Sequence, residues 1–467
     1  MKKNRWSLPP VPVLFLFISG TVLRFFYVLF TSISIRQHDV GAFGKPEMHY
    51  GYIEYIMNHG LLPDFDPTTV SQFAHPPLHH LICAGWMKLM TGVFGASYEA
   101  AAESLQYLTL IYSVALMYVC YRIFCLLKLE GLPLYAATAV VCFHPVFILL
   151  SGSLNNDMLS ILLMALTVLF AIKWYQNGRW RELILSALFA GLALMTKQSA
   201  VFVAVPVGIL FLVVLIRRIR EHTVGKSIKE IVTYLSISLP IGLWFPVYNW
   251  IRWDMPLFFV YPLSRELLQY LGDRSFLSRI TDFSPGQFSS IYEQWLSAKG
   301  PADGSYNEFN PFTALLKNSL FGEFVKDHTF DKMPAMNVVT LILFITGTIL
   351  AVSAFVLMLV NVIRDRSELW FERIALGAFF LVMLVGYYVA AWRYPFVCTM
   401  DFRYIPLTVP VGACFLALGM SRIRGNVSGR TGKTRTITYY GWLAITGLFC
   451  ISSVVMYIGL LVLTSGK

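Results

Sequence analysis

The sequence predicts an all-helical, polytopic membrane protein, and three observations carry that prediction. Hydrophobic residues make up 57% of the chain and charged residues only 13%, about half the charged fraction of an ordinary soluble domain. Apolar runs of roughly 20 residues, the length that crosses a hydrocarbon core as a helix, recur almost from end to end. Segments of about 10 residues with strict alternation, which a transmembrane β-barrel requires, do not occur.

Eleven such runs are expected as spans, near residues 11–34, 103–127, 132–151, 158–174, 182–196, 199–216, 231–252, 337–362, 372–391, 403–420 and 438–463. The first follows "MKKNRW" and is too long for the apolar core of a signal peptide. No small-residue cleavage site follows it, so it is expected to remain as the first span. With eleven spans, Lys2, Lys3 and Arg5 share one side with the loops "RRIREHTVGKSIKE", "RDRSELWFER" and "SRIRGNVSGRTGKTRT". That side then carries about 21 of the 37 Lys and Arg but about 7 of the 26 Asp and Glu, which places it, and the N-terminus, in the cytoplasm by the positive-inside rule. The net charge of +11 is thereby explained by topology and requires no nucleic-acid partner. Five of the seven cysteines fall in spans, and the remaining Cys83 and Cys398 are too few for a disulfide framework.

Within a single transmembrane domain covering residues 1–467, two outer segments are long: the first loop, 35–102, and a later loop, 253–336. The first holds two stretches expected as helices lying along the interface. "HYGYIEYIMNHGLLP" places Tyr52, Ile53, Ile56 and Met57 at helical spacing, and "HPPLHHLICAGWMKLMTGVFG" opens with prolines, which a helix start tolerates. Counting the second as a span would invert every later loop and destroy the charge asymmetry. The loop 253–336 mixes aromatics with turn residues, as in "DFSPGQFSSIYEQW" and "GPADGSYNEFNPF". A connection of that length in a membrane domain is expected to bind substrate or acceptor.

Chemistry is expected at the outer face. Six of the nine histidines (His38, His49, His59, His75, His79 and His80) lie in the first loop with Asp39, Glu47, Glu54, Asp64 and Asp66. Asp39 follows the first span, where a helix end fixes the backbone and nearby hydrocarbon keeps a carboxylate partly dry, a setting for a general base; a plain turn Asp is the alternative. His75 and His79 stand at i, i+4, a spacing for positioning an anion or, with Glu47, for holding a divalent metal. In "SGSLNNDMLS" Asn155, Asn156 and Asp157 suit capping of the following helix. Lys197, in a tight turn between apolar helices, lacks a partner nearby in sequence, and a phosphate or snorkelling to headgroups answers that. In "VCTMDFRYIPLTVP" Arg403 offers a planar fork to a phosphate, with Asp401 holding it and Tyr404 beside it.

Taken in order, an acidic residue after the first span, "PPL" in the same loop, Asn-Asp after the third span, a Lys turn before the sixth and "RYIPL" opening a late span resemble the GT-C superfamily of membrane glycosyltransferases. The protein O-mannosyltransferase and lipid A aminoarabinose transferase branch is the nearest. The resemblance implies a hexosyl- or pentosyltransferase using a sugar on a polyprenyl phosphate, with Asp39 as the base. Asp157, Lys197, His75, His79, Arg403 and Tyr404 are then the positions for donor phosphate or sugar. Where the family often has Asp-Glu, this chain has Asp39-Val40, and His75 replaces the Lys often found before "PPL".

The expected function is transfer of that sugar, with inversion, to a hydroxyl of a lipid, glycan or protein acceptor on the outer face of a bacterial cell membrane. A divalent metal is the one cofactor that the residues suggest, with Glu47, His75 and His79 as its candidate ligands. The alternative is a transporter or flippase of a lipid-linked substrate. Transport sites usually sit near the bilayer midplane on broken helices, whereas here polar groups crowd the outer ends of the spans, with Arg24 the notable mid-span exception.

Overall fold

Every expected span is a helix in the computed structural model, which describes residues 8–266, 269–284, 287, 309–322, 324–325, 329–425 and 432–465. In order these helices are Val11–Leu29, Gln106–Leu126, Gly131–Phe143 with its continuation Pro145–Leu149, Asp157–Asn177, Trp180–Leu194, Ala204–Arg220, Val224–Trp253, Ala335–Arg364, Trp370–Arg393, Thr408–Gly425 and Gly432–Ser465. Among the described residues the one β feature is an isolated bridge between Tyr270 and Phe396. Residues 1–7, with Lys2, Lys3 and Arg5, and most of the expected binding segment between 285 and 308 lie outside the described residues.

Length trims the expected count of eleven. Among the described residues eight helices are long and apolar enough to cross a membrane, and the bent pair Gly131–Phe143 and Pro145–Gly152 makes a ninth if taken as one span. Trp180–Leu194 has 15 residues, a rise of roughly 22 Å against a hydrocarbon core of roughly 30 Å, and Thr408–Ile423 is likewise short. Trp180–Leu194 still packs closely on Val224–Trp253. A Cβ on Gly191 would meet Ile241 Cβ at 2.8 Å and one on Gly242 would meet Leu194 Cβ at 2.9 Å, so these glycines bring the two helices together as small residues do between membrane helices.

Ion pairs gather at two ends of the bundle. At one end of the bundle Arg373 and Arg422 (2.7 Å) both pair with Asp365, Lys128 pairs with Glu368, and Gln176 donates to Glu372 at 3.1 Å. Arg218 meets Glu230 at 2.6 Å across the turn between Ala204–Arg220 and Val224–Trp253. The opposite end gathers Asp39, Asp157, Lys197 and Arg403.

Arg24 finds its explanation in the broken span. Pro145 has no N–H to donate, and the helix stops at Phe143, leaving terminal carbonyls without intrahelical partners inside the membrane. The Arg24 guanidinium, fully buried, donates to the carbonyls of Cys142 (2.5 Å) and Val141 (3.2 Å), to Gly20 O (3.0 Å) and to Ser113 Oγ (2.8 Å). Ser453 Oγ donates to Phe143 O at 2.5 Å and the Tyr457 hydroxyl to Pro145 O at 2.9 Å. Arg24 is thus a helix cap supplied from a neighbouring span.

The two interfacial helices form as expected, over Met48–His59 and Leu78–Gly92. Tyr50, Tyr52, Ile53 and Ile56 of the first are buried with Cys83, Ala84 and Met87 of the second, in a small core apart from the transmembrane one. Met57, expected on the buried face, is only half-buried.

Candidate functional site

The loop 36–40 is fixed from two directions. Asp39 adopts a left-handed φ of 56°, uncommon for a residue with a side chain. Its carbonyl accepts from His49 N at 3.1 Å, and that of Val40 accepts from Tyr50 N at 2.9 Å, lacing the loop to the start of Met48–His59. On the other side Gln37 Nε2 donates to Gly152 O at 2.6 Å while Gln37 Oε1 accepts from Leu154 N at 3.0 Å. One side chain therefore ties the Asp39 loop to the segment entering helix Asp157–Asn177.

Four parts of the chain then meet in an ion network. Arg403 Nη2 donates to Asp39 Oδ2 at 2.5 Å, Arg403 Nε lies 3.0 Å from Asp401 Oδ2, and Arg403 Nη1 lies 3.6 Å from Asp157 Oδ2. Lys197 Nζ pairs with the other Asp157 oxygen. His38 Nδ1 stands 3.4 Å from Asp401. The ring of Tyr404 faces both cations, 5.2 Å from the Arg403 guanidinium carbon and 5.1 Å from Lys197 Nζ. Side-chain exposure is 1% for Asp157, 3% for Asp401, 8% for Arg403 and 12% for Lys197, but 37% for Asp39. Asp39 is the carboxylate of this network that solutes reach.

The Asp39 carboxyl is pushed up by partial burial and pulled down more strongly by the charge and hydrogen bond of Arg403, which hold it at about 2. Asp157 serves the network rather than a helix cap: its backbone N–H donates to Asn155 Oδ1 at 3.1 Å, and Asn156 Nδ2 donates across to Thr196 O at 2.8 Å, beside Lys197. Lys197 is thus partnered by a residue 40 positions away.

Behind Asp39 three histidines, His75, His49 and His80, stack, and His79 meets His80 edge-on. The rings of His75 and His49 lie 5.4 Å apart, those of His49 and His80 5.2 Å, with His49 Nδ1 and His80 Nε2 hydrogen-bonded at 2.9 Å. His79 Nε2 binds the carbonyl of Leu154 at 2.7 Å. Burial, with the charge of Lys197 also bearing on His75, lowers His75 and His79 to about 4, and pushes His49 and His80 well below their ordinary value. These rings are neutral near pH 7.

The expected metal set does not assemble. Glu47 is exposed on the loop and the outward nitrogen of His79 is taken by Leu154 O. Among the described residues no group of three or more His, Cys, Asp and Glu is placed to hold a metal ion. The i, i+4 spacing of His75 and His79 instead serves ring packing and a backbone tether. Residues that composition alone did not single out are Gln37 and the pairing of His38 with Asp401. Both depend on contacts across more than 100 positions.

Below this network lies a cavity of about 360 Å³ lined by Val140, His144, Leu315, Leu320, Leu350, Phe380, Phe402, Val409 and Leu416 among others. Phe402 immediately precedes Arg403, so the cavity and the ion network share a wall. Phe312, Val352 and Phe355, which also line it, are 40%, 55% and 36% exposed, so it opens sideways between helices towards the lipid.

Residues 74–245 match the family of dolichyl-phosphate-mannose-protein mannosyltransferases. No curated protein sequence matches the chain. Among solved structures, the Archaeoglobus fulgidus oligosaccharyltransferase, crystallised with Zn and sulfate, is similar over 95% of this chain and 53% of its own, with 13% identity and a TM-score of 0.53. The chain therefore spans about half the length of that enzyme. ArnT from Cupriavidus metallidurans is similar in its apo state (13% identity, 97% of this chain and 76% of that one, TM-score 0.46) and bound to undecaprenyl phosphate (12%, 97% and 76%, TM-score 0.47). The family match covers residues 74–245 of the 467, the oligosaccharyltransferase at 13% identity shows a likeness of fold, and the apolar helices make the chain an integral multi-pass membrane protein.

Proposed function

We propose that the protein transfers a sugar from a polyprenyl-phosphate donor to an acceptor hydroxyl at the face bearing Asp39, and that this is the outer face of the membrane. The observation carrying this proposal is the junction of Asp39, Arg403, Asp157 and Lys197 with an apolar cavity. A polyprenyl chain is soluble only in hydrocarbon, whereas the sugar and phosphate it carries are polar. An enzyme for such a donor needs a slot opening to lipid beside an ionic pocket, and the matched family is one named for a dolichyl-phosphate sugar.

In the proposed step the acceptor oxygen attacks the anomeric carbon from the face opposite the phosphate. The new C–O bond forms as the bond from that carbon to the phosphate oxygen breaks, which inverts the anomeric centre. The hydroxyl proton goes to Asp39, and the leaving electron pair stays on the polyprenyl phosphate. Arg403 and Lys197 are the cations to stabilise that charge, preorganised by Asp157 and Asp401.

A carboxylate held at about 2 is a poor base near neutral pH. The donor resolves this, because its phosphate competes with Asp39 for the same guanidinium. Donor binding turns Arg403 towards phosphate, removes the charge that depresses Asp39, and leaves a more basic carboxylate facing the acceptor. Among the described residues no metal site assembles, and no step of this proposal passes through a metal.

The test is to incubate purified protein with a panel of polyprenyl-phosphate sugars and measure released polyprenyl phosphate, with and without chelator. Release with at least one donor supports the proposal, and release unaffected by chelator supports the metal-free step. Movement of an intact lipid-linked sugar across vesicles without release contradicts it.

A further inference from the structure

His144 sits at the break in the span formed by Gly131–Phe143 and Pro145–Gly152 and is 7% exposed. Its Nδ1 accepts from Val146 N at 3.4 Å, capping the short turn that follows. An accepting Nδ1 places the proton of the neutral ring on Nε2. His144 also lines the apolar cavity, with its ring 6.2 Å from that of Phe402 and 5.5 Å from that of Phe449. Three hydroxyls also line it: Ser319 and Thr408 donate back to Leu316 O and Ile405 O, each at 2.7 Å, and Tyr388 carries the third. The Nε2–H of His144 makes no hydrogen bond to the described residues, so a side chain nine-tenths buried carries an unused donor at the wall of a largely apolar space. An unsatisfied donor in such a place is expensive, and an acceptor arriving with a ligand relieves it.

We infer that His144 is a lipid-phosphate recognition residue, its Nε2–H donating to an oxygen of a polyprenyl monophosphate ester whose chain fills the cavity. The inference rests on the proposed function and adds to it a binding contact outside the ion network. A polyprenyl phosphate carries acceptor oxygens only at its phosphate end. The His144 ring lies against the residue preceding Arg403, so the donor stands at the wall shared with the cations. The phosphate is then held by two charged groups and one neutral group, and the neutral one senses that the phosphate is attached to a chain running down the cavity. Ordinary phospholipids also carry phosphate esters, but with two acyl chains on a glycerol, which a single slot does not accept.

The experiment measures binding of undecaprenyl phosphate, undecaprenol and dioleoyl phosphatidic acid to the full-length protein in detergent, for wild type, His144→Asn and His144→Phe. Asn retains an acceptor for the Val146 N–H, since Asn is a favoured cap, but lacks a donor at the depth of Nε2. We expect wild type to bind undecaprenyl phosphate most tightly. Both variants should weaken that binding about ten-fold or more, the loss expected for a hydrogen bond to a charged phosphate oxygen, with undecaprenol binding unchanged and the lipid-free melting temperature of His144→Asn close to wild type. Equal binding of undecaprenyl phosphate by wild type and His144→Asn overturns the His144 assignment and leaves the proposed function standing. Phosphatidic acid binding as tightly, with the same sensitivity to His144, overturns the polyprenyl occupant. Wild type failing to bind undecaprenyl phosphate at all overturns the proposed function and this contact with it.

Discussion

Arg403 and Asp39, 364 positions apart in the chain, share a hydrogen-bonded ion pair of 2.5 Å. The pair joins the loop after the first span to the turn that opens Thr408–Gly425, and it holds the one substantially exposed carboxylate of the network against a guanidinium fixed by two buried acids. In the proposed mechanism this bond is the resting state, and its exchange for a phosphate begins each turnover.

Asp39→Asn removes the proton acceptor and leaves the shape of the loop. Turnover should fall by roughly 10²–10⁴, the usual contribution of a general base, while the donor still binds, more tightly because its phosphate no longer displaces a carboxylate from Arg403. Steady-state kinetics beside equilibrium donor binding separates the two, and near-normal kcat in the variant would remove Asp39 from the chemistry.

Arg403→Gln takes away the charge that holds Asp39 at about 2. With that pull gone, burial is opposed only by the weaker effects of His38 and His75, and the carboxyl titrates at a higher pH. The acid limb of kcat/KM should therefore move to higher pH than in wild type, together with weaker donor binding. A pH profile with an unshifted acid limb argues that Arg403 does not control the base.

Lys197→Met strands Asp157, only 1% exposed, with the longer of its two ion pairs. Thermal unfolding in detergent should show a loss of roughly 3 kcal/mol or more, as for other broken buried pairs. The double variant Lys197→Met/Asp157→Asn should recover part of that loss, and strict additivity would contradict the pairing.

The buried histidines predict a slope of stability with pH. The folded protein holds His75 and His79 at about 4 against an ordinary 6.5, so the unfolded chain binds more protons between those values. Stability is then fully present above 6.5 and is lost as pH falls towards 4. Unfolding midpoints that are flat across that interval would show the rings to be accessible and paired differently.

Much of the fold was legible because its cause is local. A run of 20 apolar residues forms a helix in lipid whatever surrounds it. Asp39, Lys197 and Arg403 were legible for the same reason: each is a charged residue at the end of a span on the same side. The pairing of Lys197 with Asp157, by contrast, is a tertiary fact, as is the bridge made by Gln37. The role of Arg24 required knowing that Pro145 breaks a span 121 positions later and that the freed carbonyls face the first helix. The metal set of Glu47, His75 and His79 was suggested by spacing alone. Spacing on one helix does not say which ring nitrogen a backbone carbonyl already occupies, and here Leu154 occupies that of His79. Hydropathy likewise counted Trp180–Leu194 as a full crossing because it registers apolar content more readily than the length of the final helix.

The most direct test of the central claim is release of polyprenyl phosphate from a polyprenyl-phosphate sugar by the purified protein, measured side by side for wild type and Asp39→Asn. Release by wild type that is lost in the variant, while the variant still binds the donor, is the predicted result. Equal release by both would contradict it.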